Sequence, residues 1–392
     1  MNDQSPAFGG RPMGVGVIGC GNISGSYLSL APLFRGIEFR AVADLDPAAA
    51  AAKAALHGLR AETVEGLLAA PDVDIVLNLT VPSAHREVTA AILEAGKHAY
   101  SEKPLALSLE EGQALATIAA RTGRRVGSAP DTFLGAAHQT ARRLVDEGAA
   151  GRIVHGTAHF LSPGMEHWHP NPGFFYGAGG GPVLDMGPYH VALIVNLLGP
   201  VARVAGMSAT ASGTRAVTAP GAAVRSVPVE VPTTHHALLE FASGAVVTLG
   251  ASWDAHAHGH RHLELYGTEG TLVPQDPNFF GGAVEVHGRD GRPRRHEGEG
   301  HPLSVRNRVQ PGGHRLADYR GIGLADMAAA IREGREARCG LAFALHVTEV
   351  LDAVIRSGRE RRFVEMATTC PRPEALGPEE ARALLAGEPV PA

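Results

Sequence analysis

The chain has 392 residues, of which 44% are hydrophobic and 5% aromatic, and a formal net charge of −5 at neutral pH. That length predicts two domains with a sizeable core, and the mild acidity excludes the basic footprint of a nucleic-acid or anionic-membrane binder. Cys20, Cys339 and Cys370 are too few and too scattered for a disulfide framework or a zinc site, Met1 to Pro12 lack the pattern of a signal peptide, and no run is long enough to span a bilayer, so the expectation is a soluble cytoplasmic protein.

The first predicted element is a buried strand, Val15 to Ile18. It stops at Gly19-Cys20-Gly21, and a helix opens with Asn22-Ile23-Ser24. Glycines at such a junction let the backbone turn sharply and approach a ligand with no Cβ in the way. The free N–H groups of the helix start, at Asn22 and Ile23, make a seat for a pyrophosphate. The next strand, Phe39 to Asp44, ends in a carboxylate nineteen positions past Gly25, placed to accept hydrogen bonds from the ribose hydroxyls of an adenosine. Strand, glycine turn, helix and acid together predict a dinucleotide site, with Gly19, Gly21, Asn22, Ile23 and Asp44 as its residues. Asp44, seconded by Asp46, argues for NAD over NADP because a 2′-phosphate would be repelled. NADP stays open.

Asp46-Pro47 then caps an alanine-rich helix to about Leu56, and a short helix follows over Glu65 to Ala70. Val73 to Thr80 reads as a buried strand, His85 to Gly96 as a helix, Lys97 to Ser101 as a strand, Ser108 to Thr122 as a helix and Arg125 to Ala129 as a last strand. Strands separated by helices of this length are βαβ units, hence a parallel sheet with right-handed crossovers. Its ligands sit outside the carboxyl ends of the strands. Three strand ends converge there: Gly19 to Ser24, Thr80 to His85, and Ser101 to Pro104. At the third, Pro104 fixes the turn that holds Lys103, whose ammonium can orient a hydroxyl or carbonyl and stabilise a developing alkoxide. A bound cationic nicotinamide would push its pKa down. Considered alone, Glu102-Lys103-Pro104 reads more readily as a solvated surface lysine in an ion pair with Glu102.

From Asp131 a helix is expected to Gly148, and the chain then turns to short β runs: Ile153 to Phe160, Val201 to Ala209, His235 to Phe241, Ala245 to Ser252, His262 to Tyr266 and Thr271 to Val273. Ala242-Ser243-Gly244 makes a hairpin of two of them. Val286 to Gly313 reads as a surface loop whose Arg289–Arg295 cluster is balanced by Glu297 and Glu299. Helices follow over Gly323 to Glu333 and Leu341 to Ser357, and a loosely held tail after Pro371. His256, His258, His260 and His262 alternate and cannot all close on one ion, so they read as a polar strand end or loop and not as a metal site. Trp168 suits either stacking on a ligand ring or anchoring a core, and His169 beside it is a candidate substrate residue; His235 and His236 open a strand with no assigned role.

Gly19-Cys-Gly-Asn-Ile-Ser24, Leu79-Thr80 through His85, Glu94-Ala-Gly-Lys-His98 and Glu102-Lys-Pro-Leu105 together resemble the glucose–fructose oxidoreductase/inositol dehydrogenase/rhizopine catabolism (Gfo/Idh/MocA) family over nearly the whole chain. The resemblance implies an α/β fold, a Rossmann doubly wound parallel sheet over 1–129. A domain with a large, mostly antiparallel open sheet follows over 130–370, covering the substrate and building a homodimer or homotetramer, with a tail over 371–392. It also implies that Lys103 is catalytic beside the nicotinamide, and that Thr80, His85, Glu102 and Lys103 line the cofactor cleft, although the usual Thr-Pro-Asn reads Thr80-Val81-Pro82 here. In Gly179-Gly-Gly-Pro-Val-Leu-Asp185-Met-Gly-Pro-Tyr189-His190 the family motif Asp-x-Gly-x-His/Tyr puts Tyr189 at the acid/base position and Asp185 beside it. Register favours Tyr189 and intrinsic pKa favours His190. A helix starting at Gly187-Pro188 would place all three near its N-terminus. The implied activity is an NAD(P)-dependent oxidoreductase acting on a secondary hydroxyl of a sugar, cyclitol or glycoside. The rivals are a redox cycle on retained cofactor, including NAD-assisted glycoside cleavage, and a non-catalytic sensor of the same ligands.

Overall fold

The structure is a computed structural model that describes residues 10–298, 300–310 and 312–392. The stretch read as lacking a signal peptide therefore lies, up to residue 9, outside the described residues, as does Glu299. Six strands, β1 (Met13–Ile18), β2 (Ile37–Ala43), β3 (Arg60–Glu62), β4 (Ile75–Asn78), β5 (His98–Ser101) and β6 (Val126–Ser128), form a parallel sheet in the order β3-β2-β1-β4-β5-β6. The order reverses beside β1, which puts the ligand crevice at the end of that strand. Helices α1 (Asn22–Leu30), α2 (Pro47–His57), α3 (Val64–Ala69), α4 (His85–Glu94) and α5 (Leu109–Thr122) supply the crossovers. Their starts follow local chemistry: Asp46, Thr63 and Ser108 each accept a backbone N–H as side-chain caps. The central strands are buried throughout, with Val15, Val17, Ile75 and Leu77 fully covered.

The second half is built on nine strands in the order β16-β15-β14-β13-β7-β12-β11-β8-β19. They are β7 (Ile153–Leu161), β8 (Val201–Ala209), β11 (Thr234–Phe241), β12 (Val246–Ser252), β13 (Leu263–Gly267), β14 (Gly270–Val273), β15 (Val284–Gly288), β16 (Pro293–His296) and β19 (Val364–Glu365). Two small ribbons, β9 (Thr214–Ala216) with β10 (Ser226–Pro228) and β17 (Arg308–Val309) with β18 (Arg315–Leu316), complete the strands. The large sheet is antiparallel except where β12 runs parallel to β7. Helices α6 (Ala136–Asp146), α7 (Gly173–Tyr176), α8 (Pro182–Leu198), α9 (Ile322–Glu333), α10 (Leu341–Glu360) and α11 (Pro378–Ala383) complete the chain. Helices α8 and α10 pack on each other and on one face of the sheet. Gly187 permits their approach, because a Cβ there would lie 2.6 Å from Leu351 Cδ2.

Four expectations are corrected. The stretch from Val286 holds sheet strands, not only loop: Val284 and Val286 point inward while Glu285 and His287 alternate outward, the period-two pattern of a half-buried strand. The tail after Pro371 is docked, not loose. Leu376, Ala381, Leu384 and Leu385 are buried, and Ala386 N–H donates to Leu33 O at 2.9 Å. The helix expected from Asp131 begins only at Ala136, after a single 3₁₀ turn over Thr132–Leu134. Finally, α8 starts at Pro182, not at Gly187-Pro188, so Pro188 lies inside it. Pro182 supplies the favoured first-turn proline, and Pro188 leaves the carbonyl one turn back without its helical donor.

Candidate active site

The glycine turn after β1 is shaped by sterics. Gly19 has φ +104°, and a Cβ on it would lie 2.6 Å from the carbonyl carbon and oxygen of Leu79 at the end of β4. Gly21 faces open space, and no side chain caps α1, whose first residues Asn22 and Ile23 are exposed and half-buried. Ser24 is fully buried, its hydroxyl donating to Gly21 O at 2.6 Å, so the helix packs closely on the strand. The Asp44 carboxylate is fixed beside this turn by accepting N–H bonds from Cys20 at 2.7 Å and Asp46 at 2.9 Å. A carboxylate has about four acceptor positions, so capacity remains for ribose hydroxyls. An uncapped helix start, a turn clear of side chains and a fixed acid fit the adenosine and pyrophosphate of NAD. Gly19→Ala is expected to lower stability by about 2 kcal/mol or more, through both the left-handed φ and the clash, and to weaken NADH binding. Thermal unfolding with and without NADH reads both effects.

The other two strand ends are braced by one histidine. His85, fully buried at the start of α4, sets Nδ1 2.6 Å from Pro104 O and Nε2 3.0 Å from Thr80 O, tying the β4 exit to the Glu102-Lys103-Pro104 turn. Burial lowers its pKa despite these two acceptors. Thr80 donates its hydroxyl to Asn78 Oδ1 at 2.7 Å. Glu102 is also buried and points into protein, accepting the Tyr27 hydroxyl at 3.0 Å and the Lys103 backbone N–H at 2.9 Å. Thus His85 and Glu102 support the turn from beneath.

Lys103 reaches across to the second half of the chain. Its Nζ donates to Asp185 O at 2.7 Å and to Asp185 Oδ1 at 3.0 Å, and lies 5.1 Å from the centre of the Tyr189 ring. The ion pair expected from the local sequence is therefore replaced by one 82 residues away. Burial acts to lower the Lys103 pKa, but the negative charge of Asp185, then of Tyr189 and Glu102, outweighs it and holds the ammonium well above its ordinary range. Any depression by a nicotinamide cation must first offset these anions. Asp185 sits in the first turn of α8 and Tyr189 one turn on, so both project from the same side.

His190, the other candidate base, is turned away. It is fully buried, its ring centre 4.7 Å from that of Phe160 on β7, with Nδ1 a long 3.4 Å from Met186 O and Nε2 without a hydrogen-bond partner among the described residues. Burial pushes its pKa down to about 3. One residue of helix is a rotation of about 100°, which takes His190 onto the sheet while Tyr189 meets Lys103. Trp168 and His169 lie on the loop before α7. Trp168 is 54% exposed, and His169 packs edge-on against it and against Phe174 and Phe175. The α7 end is tied to the start of α8 by Gly181 N–H donating to Phe175 O at 2.8 Å. The histidines from His256 to His262 precede β13 in irregular chain, with His260 stacked on His159 at 4.1 Å. His235 is buried and His236 exposed on β11. Sequence reasoning missed two members of the cluster, Tyr27 and Arg320. Arg320 lies just before α9 with a guanidinium nitrogen 3.8 Å from Glu102 Oε1. No local motif marks either residue.

Comparison with known proteins agrees with this architecture. Residues 13–129 match the model of an oxidoreductase family with an NAD-binding Rossmann fold, and residues 138–273 match the GFO/IDH/MocA C-terminal domain. Levoglucosan dehydrogenase of Pseudarthrobacter phenanthrenivorans is 26% identical over 357 residues, covering 83% of this chain and 89% of its own. Inositol 2-dehydrogenase of Rhizobium meliloti is 24% identical, covering 90% and 98%. A match to 1,5-anhydro-D-fructose reductase of Ensifer adhaerens is 36% identical but spans 33% of this chain and 39% of that one. Among solved structures, an NAD-binding oxidoreductase from Klebsiella pneumoniae superposes with a TM-score of 0.78 at 25% identity, covering 91% of this chain and all of the other. Levoglucosan dehydrogenase in complex with NADH and L-sorbose gives 0.75 at 25% identity, covering 91% and 99%. Among the described residues no helix is long and apolar enough to cross a membrane. With both halves matched and the nucleotide turn, lysine and Asp-x-Gly-x-Tyr helix in place, this chain belongs to the Gfo/Idh/MocA family of NAD-binding oxidoreductases.

Proposed function

We propose that the protein oxidises a secondary hydroxyl of a sugar, cyclitol or glycoside with NAD, or reduces the corresponding ketone with NADH. The observation that carries this reading is the meeting of Lys103, from the end of β5, with Asp185 and Tyr189 of α8. Bound nicotinamide supplies the hydride acceptor or donor. Gly19, Gly21, Asn22 and Ile23 would hold the pyrophosphate and Asp44 the adenosine ribose, with Thr80 at the neighbouring strand end. Tyr189 takes the proton of the substrate hydroxyl as its C–O bond becomes C=O, and returns it in reduction. Lys103 donates a hydrogen bond to that same oxygen, and Asp185 fixes the ammonium in place. Trp168 offers an exposed ring face for stacking on the substrate, with His169 behind it. The test is a panel of sugars, cyclitols and glycosides with NAD and NADP, followed by NADH or NADPH absorbance. Silence across the panel, in a protein that binds NADH, would refute the reading. The retained-cofactor cycle and the sensor gain no support from levoglucosan dehydrogenase and inositol 2-dehydrogenase, two relatives that match over most of their length.

Asp44 and Asp46 at the exit of β2 favour NAD, because a 2′-phosphate would meet both carboxylates. Asp44→Ser is expected to shift the ratio of kcat/KM for NADP to that for NAD by about tenfold or more. A rise in the NADP value itself separates lost repulsion from a merely damaged turn. A second copy of the chain would cover the open face of the nine-stranded sheet, where Met207, Leu238 and Val246 are exposed. Light scattering on the purified protein tests for that dimer or tetramer.

A further inference from the structure

The loop that carries Trp168 and His169, residues 162–181, is held by a buried charge network that plays no part in the chemistry above. At its centre is Arg215, in the middle of β9. Its Nη1 donates to Glu166 Oε1 at 3.2 Å, and Glu166 Oε2 accepts the hydroxyl of Tyr176 on α7. Arg215 Nη2 reaches the other way, to the Asp254 carboxylate and to Trp253 O at 3.2 Å, where the chain leaves β12. Asp254 Oδ2 in turn accepts the hydroxyls of Thr233 at 2.7 Å and Thr234 at 2.6 Å, at the start of β11. The side chains of Arg215, Glu166 and Asp254 are only 13%, 13% and 18% exposed. A guanidinium forked between two nearly desolvated carboxylates is a stiff joint, because loss of any member strands a charge. The backbone is tied as well. Glu166 O accepts N–H bonds from Thr218 at 2.9 Å and Ala219 at 3.0 Å, and Tyr176 O accepts one from Glu230 at 2.9 Å. Val217 and Val227 share a buried cluster with Tyr176 and Trp253.

The β9–β10 ribbon is therefore a wall against which the loop is laid. Trp168 N–H at 3.2 Å and His169 N–H at 2.9 Å both donate to Met165 O, and Met165 N–H donates to the Tyr176 hydroxyl at 3.3 Å. The backbone of Trp168 and His169 thus hangs from Met165 and Glu166, the residues that the network grips. The far end of the loop abuts the Lys103-Pro104 turn: a Cβ on Gly179 would lie 2.8 Å from Leu107 Cδ1. Helix α8, with Asp185, begins directly after the loop. Trp168 is 54% exposed, so its ring depends on the backbone beneath it for a fixed place. We propose that Arg215 is a positioning residue for substrate binding: through Glu166 and Asp254 it locks the loop so that Trp168 is already in place for the non-reacting part of the sugar ring. The ordering cost is then met in folding and not in binding. A contact to the non-reacting part is made alike in the ground and transition states, so its loss raises KM and spares kcat. The inference rests on Trp168 as a substrate contact.

The test is steady-state kinetics with the panel sugar that the parent turns over fastest, beside hydrogen exchange of the free protein. Arg215→Met is expected to raise KM for that sugar about tenfold, with kcat and NADH affinity within about threefold of the parent. Amides of residues 163–169 are expected to exchange about tenfold faster, and those of α8 at the parent's rate. Glu166→Gln keeps an acceptor for the Tyr176 hydroxyl and leaves Arg215 its bond to Asp254. It is expected to raise KM by a smaller factor, which keeps the proposal testable should Arg215→Met fail to fold. Trp168→Ala is expected to raise KM, and Trp168→Ala/Arg215→Met to raise it no further, since both act through one ring. An unchanged KM in folded Arg215→Met and Glu166→Gln, a fall in kcat alone, or additive effects in the double variant overturns the proposal. So does an active Trp168→Ala with the parent's KM. Silence of the parent across the panel is a separate failure, that of the dehydrogenase reading, and takes this inference with it.

Discussion

Lys103→Met is expected to lower kcat by about a thousandfold or more, roughly 4 kcal/mol of transition-state stabilisation, while NADH binds within about threefold of the parent. Methionine keeps the length and apolar stem of the side chain and removes only the ammonium. What is lost is a charge-assisted donor at the oxygen on which negative charge develops, where a desolvated site makes such a bond worth most. A second consequence follows from the ion pair. With the ammonium gone, the Asp185 carboxylate, 24% exposed, loses its partner at 3.0 Å. Some fall in thermal midpoint is therefore expected, and Lys103→Met/Asp185→Asn is expected to recover the midpoint but not the activity. Single-turnover kinetics with NAD in excess, read beside thermal unfolding, separates the two effects. Activity within tenfold of the parent in a folded Lys103→Met would remove this lysine from the chemistry.

Tyr189→Phe deletes one oxygen from a ring that is 6% exposed, so packing is kept. The expected loss in kcat is a hundredfold to ten-thousandfold, about the range for a missing general base, and the residual rate is expected to lose the rise with pH seen in the parent. The sign follows from the role. Oxidation of an alcohol releases a proton, so activity in that direction is expected to grow with pH, and ketone reduction, which takes a proton up, is expected to show the opposite slope. Tyr189→His puts at this position the residue that the family motif also allows, and partial activity is expected to return with the acid limb moved to lower pH, since imidazole titrates near 6.5 and phenol near 10. The contrary pattern, an active Tyr189→Phe and an inactive His190→Gln, would transfer the base to His190. Its burial against Phe160 and its pKa of about 3 stand against that outcome.

The local signals in the chain were legible where short-range physics decides. The strand, glycine turn, helix and acid from Met13 to Asp44 were readable because turn sterics, helix starts and burial periodicity act over a few residues. The same holds for the hairpin at Ala242 to Gly244. The sheet strands after Val284 were missed although they alternate as a half-buried strand should, because the glycines and arginines after Gly288 mask the pattern. The tail was missed for a different reason. Leu384 and Leu385 look unremarkable until Leu33 and Phe34 offer them a surface, and that surface exists only once the nucleotide half has folded.

By itself the sequence determined the parallel sheet and the strand, glycine turn and helix of a dinucleotide-binding half, and its register put Tyr189 forward over its neighbour as the proposed base. Only the tertiary structure decided that Lys103 pairs with Asp185 and not with Glu102, that His190 faces the sheet, and that Tyr27 and Arg320 join the cluster. Turns and caps depend on neighbours in the chain. The balance of charge around a phenol depends instead on which distant side chains share its desolvated space, and packing α8 and the segment before α9 against the β5 exit sets that.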